Sequence, residues 1–277
     1  MNNNYVIYKG TGGLIHMLGG LVFSINYCIK YNNILIIDVI SHNCFKHHIS
    51  DFFIIKNTQN LIYSEDYNIV EPDILFGRKY SMNHIKNYPN VELVNGKLTG
   101  NYQFYNFHIR HTLLPTNFRQ KIKIYAGPGS NDHMSIIKYI TVKSDIINKI
   151  KEFEQINNYI GVHFRNTDIQ NDFNHFINKI KEFNNYTNIY LATDDSTAYN
   201  KFKLALPNYN IYQYTIPINA NGEPIHYAEN DKYKLIFNLL VDLYFLFKAN
   251  VFIESKVSTV SRLILTMRKE NKSIFDE

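Results

Sequence analysis

Apolar positions along this chain fall into two patterns. Short runs with no internal alternation, Tyr5 to Tyr8, Ile34 to Asp38, Tyr159 to His163, Asn188 to Ala192, Tyr209 to Tyr214 and Val251 to Glu254, predict strands covered on both faces, as in a parallel sheet. Between them, apolar residues recur at helical spacing. Leu14 to Lys30, the stretch from Ser144 through Ile146, Ile147, Ile150 and Phe153, Phe173 to Phe183, Thr197 to Leu206, Asp231 to Ala249 and Thr259 to Lys269 read as helices. This alternation predicts an α/β fold with parallel sheets. From Ser41 to Ser130 the runs Phe52 to Ile55, Ile69 to Val70 and Ile122 to Tyr125 lack helical period and read as the less regular part of a first domain. Two Rossmann-like domains, 1–140 and 141–277, are expected, with a cleft between them lined by loops at the carboxyl ends of strands.

Composition narrows the classes. At 277 residues, 45% hydrophobic and 19% charged, the chain can bury a core, and disorder is excluded. Twenty-nine Lys+Arg against 24 Asp+Glu leave a formal +5, scattered singly, which argues against a nucleic-acid-binding tail and supports only weak attraction for an anionic ligand. Cys28 and Cys44 are the only cysteines, so a disulfide scaffold is excluded and a reducing compartment is expected. Leu14 to Ile29 is too short for a membrane span, is interrupted by His16, Gly19, Gly20, Ser24 and Asn26, and lacks the flanks of a signal peptide. A cytoplasmic protein is expected, the host cytoplasm included should the chain be viral.

Chemistry concentrates in the second half. In Gly161-Val162-His163-Phe164-Arg165-Asn166-Thr167-Asp168 an apolar strand ends in His, Arg and Asp, two groups able to carry positive charge and a carboxylate where α/β folds bind ligands. The planar fork of Arg165 suits a diphosphate. The plainer reading is an Arg165–Asp168 salt bridge. Asp242 lies in a helix apolar on nearly every face and needs a partner, either Asn238 one turn earlier or a base edge with two adjacent donors. Guanine has such an edge and uracil does not. Ser255-Lys256-Val257-Ser258-Thr259-Val260-Ser261-Arg262 follows a strand and opens the last helix, as a phosphate cradle or as a serine cap without ligand. Asp194 and Asp195 also end a strand, where they suit a metal ion or a helix cap. Gly10-Thr11-Gly12-Gly13 has Ile15 at the third glycine of a dinucleotide fingerprint and lacks a P-loop lysine. His42, Cys44, His47 and His48 have no second ligand pair and read as a surface loop, while His108-Ile109-Arg110 lacks a preceding strand and reads as structural.

Taken together these segments resemble the GDP-fucose-dependent fucosyltransferases, in particular the α1,6-type and nodulation enzymes, with broader similarity to the α1,2 and protein O-fucosyl branches. Val162 to Asp168 is similar to that family's Val-His-x-Arg-Arg-Thr-Asp, Tyr190 to Asp195 to its Tyr-Leu-Ala-Thr-Asp-Asp, and the spacing of Asp242, Ala249, Ser258 and Arg262 agrees without a gap. The resemblance covers roughly the last 120 residues, three motifs in order being more specific than one. It implies a GT-B fold, inversion without a metal or separate cofactor, a GDP-sugar donor and a glycan or glycoprotein acceptor. It also implies that Arg165 holds the β-phosphate, His163 and Asp242 the guanine nucleoside, and Ser258 and Thr259 the phosphates. Asp194, Asp195 and Arg262 fall on the donor side, and Gly12, Gly13 and His16 on the acceptor side. Asp168 would orient Arg165 or approach the acceptor hydroxyl. Asn166 stands where the family has a second Arg and Ile169 where the α1,6 enzymes have Lys; Asp172 is the nearest candidate for their acidic residue. The competing readings are a catalytically silent nucleotide- or glycan-binding module and a UDP- or dTDP-sugar transferase.

Overall fold

The computed structural model describes residues 5–10, 12–40, 44–65, 122–125 (backbone only), 133–167, 170–217 and 231–276. The chain divides into two compact units, Met1–Thr141 and Val142–Glu277.

In the first unit β1 (Tyr5–Tyr8) runs through a glycine turn into α1 (Leu14–Tyr31), then β2 (Ile34–Ile37), β3 (Phe53–Ile55), β4 (Tyr63–Ser64) and β5 (Ile122–Tyr125). The sheet has order β4-β2-β1-β5 and is parallel throughout. Gly12 has φ +72°, and a Cβ there would come within 3.2 Å of His16 Cβ, so the turn needs glycine. Gly13 caps α1 with extended backbone. The buried face of α1, including Met17, Leu18, Leu21 and Ile25, lies in the core. The expected strand at Ile122 therefore forms, at one edge of this sheet. The helix α2 (His133–Tyr139) and strand β6 (Ile140–Val142), which pairs with β3, were not expected. The presumed surface loop at Cys44 is partly core, since Cys44 and Phe45 are buried. Its His47 approaches Asp51 at 3.5 Å, and His48 approaches Glu65 at 3.8 Å. His42 and His108 to Arg110 lie outside the described residues.

The second unit comprises α3 (Ser144–Lys151), β7 (Tyr159–Phe164), α4 (Phe173–Glu182), β8 (Asn188–Thr193), α5 (Ala198–Ala205), β9 (Asn210–Tyr212), α6 (Lys232–Lys248), β10 (Val251–Ile253) and α7 (Thr259–Glu270). Its parallel sheet has order β10-β7-β8-β9. The chain steps from β7 outward to β8 and β9, then returns to place β10 on the other side of β7. The strand order thus reverses at β7/β10, and the carboxyl ends of those two strands flank the crevice where open α/β sheets take ligands. All six residues of β7 are buried, which is why they read as an unbroken apolar run. Phe164 meets Phe176 and Phe202 edge to face at 5.1 and 5.3 Å. On β7, a Cβ at Gly161 would lie 2.8 Å from Ala249 Cβ, so the strand backbone packs directly on the alanine methyl at the helix end. Asp231 caps α6 by accepting from the Lys234 amide, while the Arg268 guanidinium donates to the carbonyls of Phe247, in its last turn, and of Ala249 and Asn250 just beyond.

Candidate active site at the strand tips of the second unit

His163 lies near the end of β7 and is 9% exposed. Its Nδ1 is 2.7 Å from Ser261 Oγ, on the first turn of α7, and that oxygen also accepts the Ser255 amide at 3.1 Å. Burial, reinforced by the Arg165 charge, pushes the imidazole down to about 3. His163 is therefore neutral, and the expectation of two cationic groups at this strand tip is corrected to one.

That cation is Arg165, with a side chain 23% exposed. Register explains its neighbour. Phe164 lies opposite Thr193 in the β7/β8 ladder, so the residues just beyond them, Arg165 and Asp194, stand side by side. Nε is 3.8 Å from Asp194 Oδ2, a loose ion pair beyond hydrogen-bond length. Asp194 is held more tightly by the Asn166 amide at 2.6 Å and the Thr167 hydroxyl at 2.7 Å. Asp195 accepts from Asn166 Nδ2 at 2.9 Å and from the amide and hydroxyl of Thr197 at 2.8 and 2.6 Å, with Lys201 at 3.6 Å. Burial works to raise its pKa, but these hydrogen bonds and Lys201 outweigh it and the net shift is downward. The two carboxylates tie the β7 and β8 loops together. No group of three or more metal-ligating side chains occurs among the described residues. Asp168, the expected salt-bridge partner, lies outside the described residues.

Asn171, which the sequence did not single out, joins three segments. Its Nδ2 donates to the Arg165 carbonyl and, at 2.9 Å, to Ser255 Oγ, while its amide donates to Asn166 Oδ1 at 3.3 Å. Ser255 is fully buried just past β10. One continuous polar chain thus runs from His163 through Ser261 and Ser255 to Asn171 and the Arg165 backbone, across the point where the strand order reverses. Asp172 is exposed and caps α4, its Oδ1 accepting the Asn174 amide at 3.0 Å.

At the start of α7, Ser258 is fully buried and caps its own helix, accepting weakly from the Ser261 amide at 3.5 Å. Its hydroxyl serves the cap rather than an exposed cradle. Thr259 is half-buried and Arg262 exposed. Between Ser255 and Ser258, Val257 is 70% exposed at φ +68°, a left-handed conformation that strains a β-branched residue.

Asp242 finds its partners on other elements, which replaces the expectation of Asn238. The Tyr190 hydroxyl of β8 donates at 2.7 Å to Oδ1, and the Thr215 hydroxyl lies 2.9 and 3.0 Å from Oδ1 and Oδ2. Desolvation pushes the carboxyl up to about 7, with the two hydroxyl donors pulling the other way. Two donors leave acceptor capacity on a group that has about four lone-pair directions. In the first unit, Gly12, Gly13 and half-buried His16 sit together at the start of α1.

The sequence matches no protein-family model and no curated protein. Among solved structures, a fucosyltransferase NodZ from Bradyrhizobium superposes with TM-score 0.60 at 16% identity, over 95% of this chain and 93% of that one. A NodZ α1,6-fucosyltransferase soaked with GDP-fucose gives 0.60 at 14%, over 95% and 91%. POFUT1 in complex with GDP-fucose gives 0.57 at 12%, over 95% and 93%. The chain has the α/β, GT-B-type fold of these structures.

Proposed function

We propose that this chain is an inverting, metal-independent glycosyltransferase that moves fucose, or a related deoxysugar, from a GDP-sugar to a hydroxyl of a glycan or glycoprotein in the cytoplasm. The observation that carries the reading is a single guanidinium at the point of strand reversal, its backbone braced to the start of α7 through Asn171 and Ser255. The likeness to structures holding GDP-fucose supports the donor class.

As the acceptor hydroxyl attacks the anomeric carbon and the bond to the β-phosphate breaks, negative charge grows on the departing diphosphate. Arg165 is placed to neutralise that charge, and it interacts more strongly with the transition state than with the intact donor. Free amides at the α7 N-terminus and its dipole add to the same effect. Thr259 and Arg262 border this helix start, and Asp242 would accept the paired donors of guanine. Asp194 and Asp195 act by holding the loops, and the acceptor side falls to Gly12, Gly13 and His16. Asp168 would orient Arg165 or approach the acceptor hydroxyl.

A second reading, a silent binding module, is favoured by Asp172, whose carboxylate is engaged as a helix cap. Calorimetry with GDP, UDP and dTDP, with and without Mg²⁺, should show preference for GDP unaffected by the metal; preference for UDP removes the guanine assignment. In donor-hydrolysis assays Arg165→Ala should lower turnover by about 10²–10³-fold. Equal turnover in both proteins would exclude Arg165 from the chemistry, and no turnover in the wild type would favour the module.

A further inference from the structure

His163 presents an unused polar atom. Its Nδ1 is engaged by Ser261, but Nε2 has no partner among the described residues, although the residue is only 9% exposed. A buried polar atom without a partner costs free energy unless something else satisfies it. The identity of that atom follows from the neighbours of Ser261. Ser261 is fully buried, and its Oγ already accepts the Ser255 amide at 3.1 Å. A serine hydroxyl has one proton to give, and Nδ1 at 2.7 Å is the acceptor in reach. Were Nδ1 protonated instead, Ser261 would accept twice and its own proton would be stranded in a fully buried place. Only a bare Nδ1 and a protonated Nε2 satisfy all three groups.

We propose that Ser261, held by the Ser255 amide, is a positioning residue that fixes His163 as the Nε2–H tautomer, so that the strand tip offers a permanent neutral donor to an acceptor atom of the bound nucleotide. The last clause rests on the nucleotide reading given above; the tautomer does not. Burial and the charge of Arg165 keep the ring from gaining a second proton, since both push it down to about 3. The division of labour follows: Arg165 supplies charge, and His163 supplies direction. A ligand with a donor at this place would meet another donor and be rejected, a discrimination by polarity that Ser261 enforces through His163.

The test uses the full chain labelled with ¹⁵N-histidine and two-bond ¹H–¹⁵N correlation spectra, with the His163 signal identified by its loss in His163→Asn. The expected pattern is Nε2–H, unchanged from about pH 5 to 8. Ser261→Ala should give mixed tautomers and weaken GDP binding about five- to tenfold, the worth of one buried hydrogen bond, while Ser261→Thr retains both. An Nδ1–H pattern in the wild type overturns the proposal without any variant, as does Ser261→Ala with tautomer and GDP affinity intact. If wild type shows Nε2–H but does not bind GDP, the nucleotide reading fails while the tautomer assignment stands.

Discussion

In the first unit the residues just beyond β1 and β2 are Lys9 and Asp38, each 3% exposed, and their side chains meet at 2.5 Å. In the second, the tip of β7 carries His163, whose Nε2 has no partner among the described residues, and Arg165 in a loose 3.8 Å pair. Both are parallel sheets with polar groups at their carboxyl ends, but one closes a buried pair between strands and the other carries a looser, partly exposed pair. The difference is between a buried pair that fastens two strands and a partly exposed one at a strand tip. Desolvation lowers the Lys9 pKa against the pull of Asp38, so the pair is close and costly together.

Breaking the closed pair should have the largest effect. Lys9→Met strands a buried carboxylate and is expected to cost about 3–5 kcal/mol, seen as a lower urea midpoint, while pairing it with Asp38→Leu should recover most of the loss. A double variant no more stable than the single one would remove the ion pair as the cause.

The open site is sharpened by pH. Asp242 has a folded pKa raised to about 7 from 3.8, so its stabilising contribution is complete below about 4 and is lost as pH rises through 7. His163 is shifted the other way, to about 3 from 6.5; its contribution is present above 6.5 and is lost as pH falls toward 3. Between about 4 and 6.5 the two slopes oppose. Asp242→Asn removes one of them and should leave stability rising steeply with pH across that window, in urea titrations at successive pH values. Because guanine donors need the ionised carboxylate, GDP affinity of the wild type should climb as pH passes through about 7, and the variant should lose both the climb and the preference over UDP. A wild-type stability curve that Asn at 242 leaves unchanged would show that the carboxyl is not buried as described.

The smallest effect concerns the brace. Asn171→Ala removes two side-chain donations, to Arg165 and Ser255, and should cost about 1–2 kcal/mol in denaturant melts, with weaker GDP binding. Full stability and affinity in this variant would mean that the strand tips hold their spacing without it.

The strands and helices of the second unit were legible because each is long enough to show its period and is bounded by polar residues. Helix α2 and strand β6 escaped because Tyr139 runs into Ile140 with no glycine or proline to mark the change of state. Arg165 and Asp242 stood out as polar residues against apolar surroundings. What they bind did not, since Asp194, Tyr190 and Thr215 are brought to them by sheet register and helix packing. Lys9 and Asp38 were overlooked for the same reason: the register Tyr8 to Ile37 makes them neighbours across a span of sequence with no local mark. Asn171 had a weak local signal, an Asn-Asp pair at the start of an amphipathic helix, that reads equally well as capping.

Gly161 gives the second unit a mechanical property. Its missing side chain lets β7 rest on Ala249 at the end of α6, where a Cβ would come within 2.8 Å. Contacts between long side chains absorb small displacements by changing rotamer, whereas strand backbone seated on the Ala249 methyl meets a group with no rotamer to change. The end of the longest helix described in that unit is therefore packed directly on the strand that carries His163 and, just beyond it, Arg165.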